Sequence, residues 1–126
     1  MNSFNIGKAV CNILLKELAD KVNDRIYPLI ADETTEFPFI VYQRSGFNPQ
    51  NTKDNSDEHV IIDLVIAAES YAESIDIAIR VREALEHKRG TFSNIYIEDI
   101  IIEDASEDYI DNTFLQSITI RVILNN

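Results

Sequence analysis

Residues 70–73 read Ser-Tyr-Ala-Glu, a capping box in which the Ser70 side chain accepts from the Glu73 amide while the Glu73 side chain reaches back. A helix must therefore begin at this point. It carries Ile75, Ala78, Ile79, Arg82 and Leu85 near one stripe, with Ile77, Val81 and Ala84 beside it. His87-Lys88-Arg89 places positive charge on its last turn, and Gly90 is the expected left-handed stop. Period-two segments lie on either side of it. Over His59–Ala68, Val60, Ile62, Leu64 and Ile66 share one face, while Ile61, Val65 and Ala67 surround Asp63 on the other. Over Thr113–Leu124, Phe114, Ile118, Ile120, Val122 and Leu124 oppose Leu115, Ser117, Thr119, Arg121 and Ile123. A capped helix bracketed by half-buried strands commits the chain to a mixed fold.

The remaining segments fill in the order. Ile6, Val10, Ile13, Leu14, Leu18 and Val22 recur at spacings of three and four, which predicts an amphipathic helix over residues 4–23 capped by Ser3 or Asn5. Arg25-Ile26-Tyr27-Pro28 reads as a short extended piece, because Pro28 biases Tyr27 away from helix. After the polar connection Asp32–Glu36, Pro38 opens a strand through Arg44. Gly46–Asp57 is rich in Gly, Asn, Asp, Ser and Pro, and reads as a long hairpin loop. A fourth strand over Ile95–Asp104 changes phase, since Ile95 and Ile97 oppose Ile100 and Ile102, so a bulge is expected near Glu98-Asp99. The order α-β-β-β-α-β-β gives an α+β fold in one domain, 1–126. Its sheet is antiparallel or mixed, of four to five strands, with two helices packed on one face. The opposite face is more apolar than solvation requires. Either a partner subunit covers it or the sheet curls on itself.

The 126 residues are 45% hydrophobic and 26% charged, enough to build a core without a disulfide or metal. The formal net charge of −11 is lopsided: residues 1–53 are balanced, and residues 54–126 carry the whole excess. Seven carboxylates (Glu98, Asp99, Glu103, Asp104, Glu107, Asp108 and Asp111) fall between residues 98 and 111 without one Lys or Arg. A pI near 4.4 argues against a broad grip on nucleic acid or anionic membrane. The apolar stretch Ala9–Leu15 is broken by Asn12 and has no small-residue cleavage site after it, so no signal peptide is expected. A lone cysteine fits a reducing compartment. A soluble protein, cytoplasmic when synthesised, is the expectation.

Catalytic signals are sparse. Nothing in the spacing places His59 or His87 beside Cys11, and His87 has a sufficient structural task at a helix C-terminus. Cys11 reads as a small hydrophobe on a helix flank. Neither a nucleophile elbow nor a phosphate-cradling glycine loop is present, and no catalytic, cofactor or metal residue is assigned. The acidic run lacks the Asp-x-Asp-x-Asp-Gly spacing and tight-turn glycine of a calcium loop, so a solvated or repelling surface is the better reading. The segment with Phe47, Asn48, Gln50, Asn51 and Lys53 reads either as a disordered hairpin tip or as an arm that orders on a partner, and a large apolar residue in a polar loop favours the arm.

The layout resembles a bacteriophage family of small tail-completion proteins, the minor-tail or tail-terminator-like group of siphophage and prophage structural operons. The residues that carry the resemblance are the N-terminal amphipathic helix, Arg25-Ile26-Tyr27-Pro28 and Pro38-Phe39-Ile40-Val41-Tyr42. Ser70-Tyr71-Ala72-Glu73, Ile79-Arg80-Val81-Arg82-Glu83-Ala84-Leu85 and the Ser-Ile-Thr-Ile-Arg-Val ending complete it. Membership implies a non-enzymatic α+β subunit that forms a ring, often a hexamer, at the head-proximal end of the tail tube. There it stops tube polymerisation and offers a surface to the neck, so its partners are its own copies, the tube and the connector. Its place is the host cytoplasm during assembly and the virion afterwards. Neither membrane nor sequence-specific nucleic acid is an expected partner. The competing reading from composition is an acidic monomer or dimer that binds a basic enzyme as a DNA mimic.

Overall fold

A computed structural model describes residues 3–52 and 55–124, with the backbone alone for residues 50–52, 55 and 56. After a 3-10 turn at Ser3–Asn5, α1 runs Ile6–Val22 and buries Ile6, Ala9, Val10, Ile13, Leu14, Leu18 and Val22. Asn5 occupies the N-cap position, but its side chain makes no capping bond, so the expected cap is not used. The second helix, α2 (Tyr71–Leu85), begins as the capping box dictates, with the Glu73 amide donating to Ser70 Oγ at 3.1 Å.

The strands are β1 (Ile26–Pro28), β2 (Phe39–Thr52), β3 (Asn55–Ala68), β4 (Gly90–Phe92), β5 (Ile95–Ile97), β6 (Asp99–Ile110) and β7 (Thr113–Leu124). Five of them form one mixed sheet in the order β1-β2-β3-β7-β6, parallel only between β1 and β2. The pair β4-β5 is a separate small ribbon. The α+β class and the element order are as the sequence implies. Both helices cover the sheet face formed by Ile40, Val60, Ile62, Leu64, Ile66, Ile100, Ile120 and Val122, and all eight side chains are fully buried. At ~25 cal/mol per Å² of apolar surface removed from water, this layer is the main source of stability.

Two ties fix the helices. Arg80 reaches across to α1, donating to both Asp20 carboxylate oxygens (3.1 and 3.0 Å) and to the Glu17 carbonyl (2.6 Å), while Lys21 pairs with Asp76 at 2.8 Å. The guanidinium holds the Asp20 carboxyl below its ordinary range. Between α2 and β7, the buried Gln116 amide donates to Ser74 Oγ (3.2 Å), which itself donates to the Tyr71 carbonyl (2.7 Å).

Four local expectations are corrected. The described part of Gly46–Asp57, residues 46–52 and 55–57, is not a loop, because β2 and β3 continue through it as an antiparallel ladder out to Thr52 and Asn55. Its run of polar residues hid the alternation, and from Gln50–Asp57 outward the ladder extends beyond the Glu58–Leu124 pair, the last between β3 and β7. A bulge between Arg44 and Gly46 sets the register, and Gly46 allows it: a Cβ there would lie 3.1 Å from Ile61 Cγ1. Second, α2 does not stop at Gly90. The left-handed residue is His87 (φ 61), whose amide donates to the Ile100 carbonyl at 2.8 Å, and Gly90 opens β4. The chain is captured by the sheet three residues before the glycine.

Third, the phase change near Glu98 is a break between β5 and β6, and the bulge lies later, between Ile102 and Asp104. Two hydrophobic phases arise because Ile95 and Ile97 belong to the ribbon, whereas Ile100 belongs to the sheet. Fourth, Ile79 does not join the buried stripe of α2, which is Ser74, Ile77, Val81, Ala84 and Leu85; Ile79 is 54% exposed. The buried positions 74, 77, 81, 84 and 85 define a stripe at helical spacing, and position 79 falls outside it.

Candidate functional site

The hairpin arm and the acidic edge strand are the two regions singled out by sequence, and the structure places them on different strands of one sheet. On the arm, Phe47 pairs with Val60 and sits half-buried on the helix face. Its ring meets Phe4 edge-on at 5.4 Å, and the Arg44 guanidinium lies 4.1 Å from the Phe4 centroid. Phe47 is thus not an exposed probe at a loop tip; it anchors the base of the arm to the start of α1. Asn48 is exposed beyond it, opposite His59. The backbone of Gln50 and Asn51 continues the ladder, and Lys53 lies outside the described residues.

The carboxylates line β6, an outermost strand of the sheet. Most have a definite bonding partner. Asp99 Oδ1 accepts from the Ile100 amide at 2.9 Å and faces His87 Nδ1 at 3.2 Å. Glu103 pairs with Arg121, whose Nη1 is also 2.9 Å from His59 Nδ1. Asp104 and Asp108 accept from the amides that follow them, Ala105 at 2.9 Å and Tyr109 at 2.8 Å. Glu107 accepts from the Tyr71 hydroxyl at 3.0 Å, which raises the tyrosine pKa by stabilising the neutral phenol. Asp111 and Asn112 form the two-residue turn to β7 with φ of 50° and 61°. Glu98 lies between β5 and β6, and its Oε2 is enclosed without a hydrogen-bond partner among the described residues.

These bonds explain much of the acidity locally. The outer edge of a terminal strand presents unpaired amides to any other chain. The pair Ile110–Thr113 flanks the two-residue turn, so Ala105, Glu107 and Tyr109 turn their amides outward. Two of those three are closed by Asp104 and Asp108.

Alternation along the sequence left one feature undetected. Tyr109 packs on Phe114 at 4.6 Å, and Phe114 meets Tyr71 at 6.0 Å, joining the β6–β7 turn to the start of α2. The i-to-j pairing across Asp111-Asn112 is the signal that would have revealed it. On the sheet face away from the helices, Val41, Ile61, Val65, Ile101, Leu115 and Ile123 are half-buried, and Thr119 donates to Asp63 at 2.8 Å. Cys11 sits half-buried on α1, and burial raises its thiol pKa. Among the described residues, no group of three His, Cys, Asp or Glu is placed to hold a metal ion, and no helix is long and apolar enough to cross a membrane.

No family model and no curated protein matches the chain. Solved structures do. A chain from the virion of a native gene transfer agent particle superimposes with a TM-score of 0.82 over 94% of this chain and 93% of its own, at 13% identity. This fold occurs in virion particles. The bacteriophage SPP1 gp17 protein aligns with a TM-score of 0.60 over 98% of this chain and 91% of its own, at 23% identity. What is shared at these identities is the fold, traced nearly end to end in each case.

Proposed function

We propose that this chain is a structural subunit of a phage-type tail that works by assembly rather than by catalysis. In this reading residues 1–126 form one unit that builds a homo-oligomeric ring at the tail end, completing or terminating the tube and joining it to the neck. A hexamer is the stoichiometry that the sequence resemblance implies. The observation that carries the reading is the near full-length match to a chain of a virion particle at a TM-score of 0.82. The match to the bacteriophage SPP1 gp17 protein, and a sheet whose second face carries half-buried apolar side chains with no helix among the described residues over it, support it.

Within such a ring, the β2–β3 arm beyond Asn48 reaches toward the tube or the next subunit. Carboxylates of β6 facing a channel would repel passing duplex DNA. Tails assembled with and without the protein, viewed by electron microscopy, test the role: overlong tubes are expected in its absence, and normal tubes would overturn it. A monomer in light scattering across micromolar concentrations would overturn the ring. The protein would be found in the host cytoplasm during assembly and in the virion afterwards, in contact with tube and connector proteins.

A further inference from the structure

The two terminal strands of the sheet are unequal. At one end β1 is only three residues long, and beyond it the open side of β2 passes Pro49, which has no N–H to offer an incoming strand. At the other end β6 runs for 12 residues, stands last in the sheet beside β7, and is exposed throughout residues 103–110. Tyr109 and Ile110 add apolar side chains to this edge, 54% and 50% exposed. A long, exposed edge of this kind is a template for the addition of another strand.

Three aspartates act on that edge in the same way. Ile100 faces away from β7, since the His87 amide reaches its carbonyl at 2.8 Å, and Ala105 and Tyr109 face outward farther along. Each of these three amides is taken by the carboxylate immediately before it. Asp99 Oδ1 accepts from Ile100 at 2.9 Å, Asp104 Oδ1 from Ala105 at 2.9 Å, and Asp108 Oδ1 from Tyr109 at 2.8 Å.

We propose that these aspartates guard the edge against strand addition, and that the surface they close is a latent pairing site for β6 of a second copy. An antiparallel pair of β6 strands needs the same outward amides as donors to the carbonyls of the incoming strand. Each is already bonded, and the carboxylate that bonds it places negative charge where a second acidic strand would lie. The second copy is the occupant because its β6 is the matching edge, equally long and exposed, so that one two-fold axis would satisfy both strands. The inference goes beyond the ring reading and does not depend on it. It gives the acids along β6 the task of keeping subunits from joining edge to edge.

Residue-resolved hydrogen exchange on the full chain over a range of concentrations, with sedimentation velocity alongside, tests this. The wild type is compared with Asp104→Ala/Asp108→Ala in about 0.5 M salt, where a Debye length of about 4 Å screens most of the repulsion and leaves the bonds. In the double variant the Ala105 and Tyr109 amides should gain roughly tenfold or more protection as concentration rises, together with a faster-sedimenting species. Neither amide should depend on concentration in the wild type. Exchange and sedimentation unchanged in the folded double variant would overturn the guard. Concentration-dependent protection of the same amides in the wild type would overturn it too, because the edge would then already be in use. If the double variant misfolds, Asp104→Ala and Asp108→Ala are measured singly. Each should open the amide that follows it, and no concentration dependence in either would overturn the guard. A monomeric wild type overturns the ring and leaves the guard standing.

Discussion

The two long hairpins, β2–β3 and β6–β7, have the same plan: a hydrophobic half against the helices and a polar half toward the turn. They differ in what holds the polar half. In β6–β7 the distal end is pinned by Tyr109, Phe114 and Tyr71, and turns through two left-handed residues. In β2–β3 the last aromatic anchor is Phe47 near the base, and the ladder continues beyond it as an arm. Polar composition alone therefore does not distinguish a loop from a strand. What decides is whether a facing strand can close the hydrogen bonds, and in both hairpins it does.

Substitutions can break or sharpen this contrast. The largest effect belongs to the part the hairpins share. Ile62 and Ile120 are paired across β3 and β7 and fully buried, so Ile62→Ala or Ile120→Ala should cost about 2–5 kcal/mol in denaturant unfolding. Next come the two anchors. Phe114→Ala should cost about 1–3 kcal/mol and expose the β6–β7 turn to hydrogen exchange; Phe47→Ala, of similar cost, should raise exchange only along the arm. Equal exchange in both hairpins for either variant would erase the distinction. At the turn, Asn112→Ala should lose about 1 kcal/mol because φ is 61°, whereas Asn112→Gly should hold stability or raise it.

The smallest effect is electrostatic and lies outside the hairpins, on the helix layer that covers them both. The Asp20 pKa in the folded protein is lowered by Arg80, so the stabilisation is complete above the ordinary value of 3.8 and is lost as pH falls through the lower folded value. The melting-temperature gap between wild type and Asp20→Asn should be constant near neutrality and close below about pH 4. A gap that persists at lower pH would show that the ion pair is not its source.

Much of the fold was legible in the sequence for a physical reason. Val60, Ile62, Leu64 and Ile66, the even-numbered run of β7 and the Ser70 box report periodicities that backbone geometry imposes wherever a face is buried. Legibility failed where polar residues swamp the apolar alternation, as over Gly46–Asp57, or where a distant element intervenes. The Ile100 carbonyl captures His87 and ends α2 early, and the ribbon takes Ile95 and Ile97 out of the sheet's phase. Of the candidate site residues, the carboxylates were found by count but not by task, since the amides that Asp104 and Asp108 close become outward-facing only once β6 is an edge. Phe47 was found but misplaced, because nothing local to it announces Phe4.

The sequence by itself determined the α+β class, the order of elements, the start of α2 and the confinement of the charge excess to residues 54–126, because each is written in nearest-neighbour spacing or in composition. Only the tertiary structure decided that the polar segment continues as paired strands and that acids sit along a sheet edge, where Asp104 and Asp108 close the amides of Ala105 and Tyr109. Those outcomes depend on which strand lies beside which, and strand neighbours are set by long-range packing of the whole chain rather than by any residue's local preference.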